Sequence, residues 1–213
     1  MRESKLFRSR NKIRKAGTSL CVCAGLALLL SGTSFAQQET FQLDPAKTTV
    51  RFTLGDVLHT VHGRFQAKGG SVNFDSATGT SSGAFVIDAT SGESGNDGRD
   101  RKMHKEILQS QKYPEISFSP TRIVGPVPTQ GEGTVQMEGI FRLHGAEHPM
   151  TLSVPVEVSG NNLSAKLHFV IPYVAWGLKN PSTFILRVSD KVAIDIDAAG
   201  QLSGSQQDRT ASK

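Results

Sequence analysis

Few side chains in this 213-residue sequence are spaced to do chemistry, and each has a plainer reading beside it. Gly79-Thr-Ser-Ser-Gly83 matches the G-x-S-x-G string of a nucleophile elbow. That elbow needs a strand before the serine and a helix after it. Here the string reads as a turn feeding a strand over 84–89, so no serine nucleophile is expected. Six histidines invite a metal site. His59 and His62 are three apart in a strand pattern and point to opposite faces. His144 and His148 flank a hairpin turn and can converge, yet no second pair at ligand spacing accompanies them, whereas structural zinc sites use about four well-spaced ligands. No metal is expected, and no catalytic residue; Asp88 is the one obvious in-strand acid that an acid/base mechanism could use.

The basic cluster Arg99, Arg101, Lys102 and Lys105 has two readings. It can attract a phosphate or an anionic lipid surface, or it is the solvated face of an amphipathic helix. Asn96 or Asp97 can cap that helix, expected over 97–109, and Met103, Ile107 and Leu108 form its apolar stripe. Tyr113-Pro114 stops it, because the residue before proline is driven out of the helical region.

The cysteines and the charge lead to the chain's first 36 residues. Seven bases and one acid precede an 11-residue apolar run, Leu20–Leu30, and then Ser31-Gly-Thr-Ser-Phe-Ala36. Those are the three parts of a secretory leader, and the run is short of the roughly 20 residues a membrane span needs. Cleavage is expected after Ala36, with delivery to the periplasm or the exterior. Cys21 and Cys23 leave with the leader, so the mature chain has no disulfide and no thiolate. The full chain counts 24 bases and 19 acids; without the leader it has 17 and 18, a formal net charge of −1. The basic isoelectric point belongs to targeting, and a nucleic-acid partner is not expected.

Residues 37–202 read as one domain. Gln37–Thr40 is expected to be a loose start and Ser203–Lys213 a disordered polar tail. Between them period-two alternation dominates: Val50, Phe52, Leu54; Val72, Phe74; Val135, Met137, Gly139, Phe141, Leu143; Leu152 to Val158; Leu163 to Ile171; Val192, Ile194, Ile196, Ala198. Each is a strand with one dry face, the mark of antiparallel sheet. Lys68-Gly-Gly70, Asp75–Gly79, His144-Gly145 and Ser159–Asn162 supply turns, and Pro155 argues for an edge or bulge. The fold class is all-β with one or two short helices: about eight strands that must close to hide their edges. Phe52, Phe74, Met137, Phe141, Leu167, Phe169 and Ile194 are expected to face the interior. Periodicity leaves open whether that interior is a packed core or a lipid tunnel.

Several pieces in order then resemble the YceI-like family of bacterial polyisoprenoid-binding proteins over about Phe41–Gly200. They are Val61-His-Gly-Arg-Phe65, Gly95-Asn-Asp-Gly-Arg-Asp100, Tyr113-Pro-Glu-Ile-Ser-Phe-Ser119, Gly139-Ile-Phe-Arg-Leu-His-Gly145 with Pro149, and a Trp176-Gly177 corner. The resemblance implies an extended lipocalin-like antiparallel barrel whose lumen holds a long-chain polyisoprenoid, a prenyl quinone or a prenyl pyrophosphate, without other cofactor or chemistry. The seven interior residues would line the tail site, and Arg99, Arg101 and Lys102 are head-group candidates. Transient contact with a membrane surface and a homodimer are compatible with this reading. The chain departs from many members in carrying Pro172-Tyr173 where they have a polar Asn-Arg pair, so no head-group role is carried over to that position. The rival readings are a lipid-modifying enzyme and a ligand-free barrel acting through protein partners.

Overall fold

Among the described residues, period-two patterning builds nine strands, each antiparallel to its neighbours. The computed structural model describes residues 38–55, 60–183 and 187–204. The expected leader with its cleavage point, His59, and residues 205–213 of the expected tail lie outside the described residues. In chain order the strands are β1 (Gln38–Leu43), β2 (Thr49–Gly55), β3 (Thr60–Asp75), β4 (Ser81–Glu93), β5 (Glu115–Val124), β6 (Gly131–Leu143), β7 (Ala146–Ser159), β8 (Asn162–Ile171) and β9 (Val192–Gly204).

β1 and β2 occupy one stave of the wall. β1 pairs with the second half of β3 and the end of β9, through Phe41↔Val72 and Phe41↔Leu202. β2 pairs with the first half of β3 and the start of β9, through Phe52↔Gly63 and Phe52↔Ile194. A 3-10 turn, Pro45–Lys47, separates them, and the Asp44 carboxylate accepts from the Ala46 amide at 3.0 Å to start it. With β3 also pairing β4, nine strands form an eight-stave closed barrel. Closure removes the free edges that an open sheet of this size would expose.

Three sequence expectations shift here. Gln38–Thr40 is not loose but part of β1, and Ser203 and Gly204 pair with Thr40 and Glu39 instead of starting the tail. Lys68-Gly-Gly70 is not a turn: β3 runs through it, with a register shift against β4 between Ala67 and Gly69. Gly70 has φ +136° and crosses so near β4 that a Cβ there would sit 2.1 Å from the Ala84 carbonyl oxygen. The glycines bend one long strand so that it can serve both β2 and β1.

Inward parity matches the alternation. Val50, Phe52, Val72, Phe74, Val135, Met137, Phe141, Leu143 and the series Leu152–Val158 are buried, while their sequence neighbours are mostly exposed. Each large apolar side chain so buried contributes roughly 1.5–3 kcal/mol. The two-residue turn His144-Gly145 has both residues at positive φ, 53° and 79°, as the favoured hairpin turn requires.

Pro155 marks one of the wall's interrupted ladders among the described strands. β7 and β8 pair only from Val156↔Ala165 to Ser159↔Asn162. Counting outward from that hairpin, the next pair, Pro155 with Lys166, is one that exchanges backbone hydrogen bonds. Proline has no N–H to give. The ladder stops there, and the expected edge lies on this side of β7.

The helical segment follows β4. α1 (Asp97–Lys102) starts where Asn96 Oδ1 accepts from the Arg99 amide at 2.9 Å, and it runs into a π-helical turn, Met103–Ile107. It ends before the expected Gln109, because Gln109 itself turns left-handed at φ 47° and reverses the chain.

Candidate functional site

The barrel interior is a hollow in two parts. The outer chamber, of about 600 Å³, lies at the helix end and is bounded by Phe52, Phe65, Met103, Tyr173, Leu178 and Ile194 among others. The inner chamber, of about 140 Å³, lies further along the axis between Phe41, Phe74, Phe85, Phe118, Met137 and Leu167. Phe141 and Phe169 border both. All seven residues expected inside therefore line the hollow, which is neither filled core nor a uniform tunnel. Periodicity was sound about facing and silent about volume.

Polar groups gather at the helix end. Ser94, Arg99 and Lys102 border the outer chamber, and among the described residues no Asp, Glu or His borders either chamber. The Arg99 guanidinium donates from Nε to Ser94 Oγ and from Nη2 to the Ser94 carbonyl, both at 2.7 Å. Lys102 Nζ donates to the Pro181 carbonyl at 3.3 Å. Both cations have neutral partners here, and neither forms an ion pair among the described residues. Arg99 and Arg101 are both exposed, but Arg101 borders no chamber, so the three candidates part company. A helix shows its faces about 100° apart per residue, which puts 99 and 102 together and 101 elsewhere. Arg99 stays exposed at the chamber's rim, and Lys102 is half-buried beside it.

The helix is clamped onto the barrel by a histidine that no motif in the sequence singles out. His104 Nε2 lies 2.7 Å from the Gly92 carbonyl and Nδ1 2.9 Å from Ser110 Oγ, so the ring donates to one and accepts from the other. Lys179 Nζ reaches Glu106 Oε2 at 2.8 Å and ties the helical segment to the corner after β8; this hydrogen bond and charge hold the Glu106 carboxyl below its usual range. Tyr173, at the position that departs from the family pattern, is buried and donates to the Ser189 carbonyl at 2.6 Å. Burial, with Asp190 nearby, pushes its phenol up to about 12, so it remains a donor. The only cue to this in the sequence was the unusual Pro172-Tyr173 pair.

The remaining chemical candidates resolve into structure. The Gly79–Gly83 string is a turn with β4 beginning at Ser81, so no helix follows the serine. His144 tilts over Tyr113 at 4.6 Å, whereas His148 stacks on Trp176 at 3.9 Å and 5°; each has its own aromatic partner. His62 Nδ1 contacts Thr53 Oγ1 at 3.2 Å and His168 Nδ1 contacts Asp195 at 2.7 Å. The Asp88 carboxylate is taken by the Thr90 hydroxyl and amide, which hold its pKa below the ordinary value.

Residues 41–199 match the family model of the YceI-like domain. A UPF0312 protein of Vibrio parahaemolyticus is 27% identical over 143 residues, 65% of this chain and 74% of that one. BcnA of Burkholderia cenocepacia superposes with a TM-score of 0.59 at 22% identity, over 74% of this chain and 98% of that one. A polyisoprenoid binding domain from Saccharophagus degradans, implicated in plant cell wall breakdown, superposes at 0.58 with 16% identity, over 76% and 98%. At such identities the two solved structures are alike in fold.

Proposed function

Since this chain belongs to the YceI-like family, we propose that it is an exported carrier that holds the tail of a polyisoprenoid lipid in its barrel. The observation that carries the reading is an apolar hollow with its charge confined to one end: Arg99 and Lys102 beside a 600 Å³ chamber otherwise walled mainly by hydrocarbon. A prenyl tail gains roughly 0.8 kcal/mol for each CH₂-sized group it removes from water. Such a wall needs no directed contact to hold it, and only the head group needs placed polar atoms.

Binding without chemistry is supported by the lining, since proton transfer inside the barrel would need an acid or base within hydrogen-bond reach of the lipid. Asp88 is committed to Thr90 instead. Two neutral-partnered cations favour an anionic head, such as a pyrophosphate, over a neutral quinone. Export is supported by the charged, apolar and small-residue segments of residues 1–36.

The test is organic extraction of the protein purified from the periplasm, followed by mass spectrometry and N-terminal sequencing. A prenyl lipid in near-stoichiometric amount and a chain starting at Gln37 are expected. A protein that extracts empty and takes up neither a prenyl pyrophosphate nor a prenyl quinone on incubation would sink the carrier reading. A mature species that keeps Leu20–Leu30 would sink export.

A further inference from the structure

We infer that Phe141 and Phe169 partition the lumen and thereby set the length of tail it accepts, an inference that rests on the carrier reading above. Six residues border both chambers: Val50, Ile87, Ile116, Phe141, Phe169 and Ile196. They come from β2, β4, β5, β6, β8 and β9, six of the eight staves, and so form a layer across the barrel. Phe141 and Phe169 are its two aromatic members. They belong to strands that are not neighbours, yet their rings meet edge to face at 6.2 Å and 72°.

One side of this pair is braced. Phe141 is buried and packs on Trp176 at 5.8 Å, and Trp176 in turn stacks on His148. Phe169 is half-buried, and Phe141 is the ring it meets among the described contacts. Phe169 is therefore the member free to be changed without dismantling the corner.

The volumes give the partition its consequence. An apolar cavity of about 150 Å³ stays dry and takes up a benzene-sized guest. The inner chamber, at about 140 Å³, matches that size and has room for the last isoprene unit of a tail. The outer chamber is roughly four times larger, so the two together suit a tail of roughly five isoprene units. The outer chamber alone holds roughly four of those units, so a fifth must drive the Phe pair apart or stay in water.

The experiment titrates the mature protein with prenyl pyrophosphates of three, four and five units, before and after Phe169→Ala, with Phe169→Leu as the variant of nearly native volume. Wild type is expected to gain about threefold or less in affinity from the fifth unit. In Phe169→Ala the fifth unit should strengthen binding at least about tenfold, with Phe169→Leu between. A comparable gain in wild type, or no added gain in a folded Phe169→Ala protein, overturns the inference. Xenon-pressurised crystals decide the geometry without any lipid: two separate xenon sites are expected in wild type and a continuous one in Phe169→Ala. One continuous xenon site in wild type overturns the partition, while two sites in a protein that binds no prenyl chain overturn the carrier reading and leave the partition standing.

Discussion

Arg99 and Arg101 are two positions apart on the same short helix, and their surroundings make them different reagents. Arg99 is fixed by two hydrogen bonds to Ser94 at the rim of the outer chamber, while Arg101 borders no chamber. A fixed guanidinium loses less freedom when it grips a phosphate, and charge-assisted hydrogen bonds are worth about 1.5–3 kcal/mol. The double substitution Arg99→Gln, Lys102→Gln is therefore expected to weaken prenyl pyrophosphate binding by about tenfold or more at low salt. Prenyl quinone binding should stay level, and Arg101→Gln should change neither. Raising the salt should shrink the pyrophosphate effect. Equal loss for both ligands in the double variant would mean that the helix is a structural cover and not a head-group site. The basic cluster was legible in the sequence; which of its members border the chamber depends on how the helix is rolled against β4, and His104 decides that through Gly92.

At the scale of elements, the β7–β8 seam shows how one residue ends a ladder. Pro155 was legible as an edge signal, because a missing N–H is a property of the residue itself. Its partner was not legible, since Lys166 comes opposite only through the register that the Ser159–Asn162 hairpin sets. The other side of β7 pairs with β6 along its whole length, so only the β8 side is affected. Pro155→Val is expected to carry the ladder past Ala165. Hydrogen exchange should then find the new amide at position 155 protected, with slower exchange at its neighbours on β8. An amide at that position exchanging at an unprotected rate would show that strand twist, not the missing donor, parts the two strands. The helical segment teaches the same lesson: Asn96 and the stripe Met103, Ile107 and Leu108 were readable, whereas the left-handed Gln109 that ends it was not.

For the whole molecule, the pH dependence of stability has an identifiable contributor in His148. Burial between Trp176 and the barrel wall holds its imidazole below the ordinary value of 6.5. The unfolded chain therefore takes up that proton first, at about pH 6.5. The stabilisation is fully present above that pH and is lost as pH falls through it toward the lower folded value. Melting temperature is expected to drop between pH 7 and pH 5, and His148→Gln should flatten that slope at the cost of the ring stack. An unchanged slope in the variant would assign the acid sensitivity to other groups.

What the sequence determined by itself was whatever depends on neighbours along the chain. Alternation assigned the dry face of nearly every strand, correctly enough that Phe52, Phe74, Met137, Phe141, Leu167, Phe169 and Ile194 all border the hollow. Turn chemistry placed three of four connections, and failed at Lys68-Gly-Gly70 because glycine accepts a bend inside a strand as readily as a hairpin. The tertiary structure alone decided what depends on distance across the barrel. β1 and β2 share a stave only because β3 and β9 are each long enough to pair with both. The lumen is open only because eight staves leave a gap between them, and Phe141 meets Phe169 only because closure brings side chains of β6 and β8 together inside it. Side-chain direction is local and survives in the pattern of residues; enclosed volume is a property of closure, and no stretch of sequence contains it.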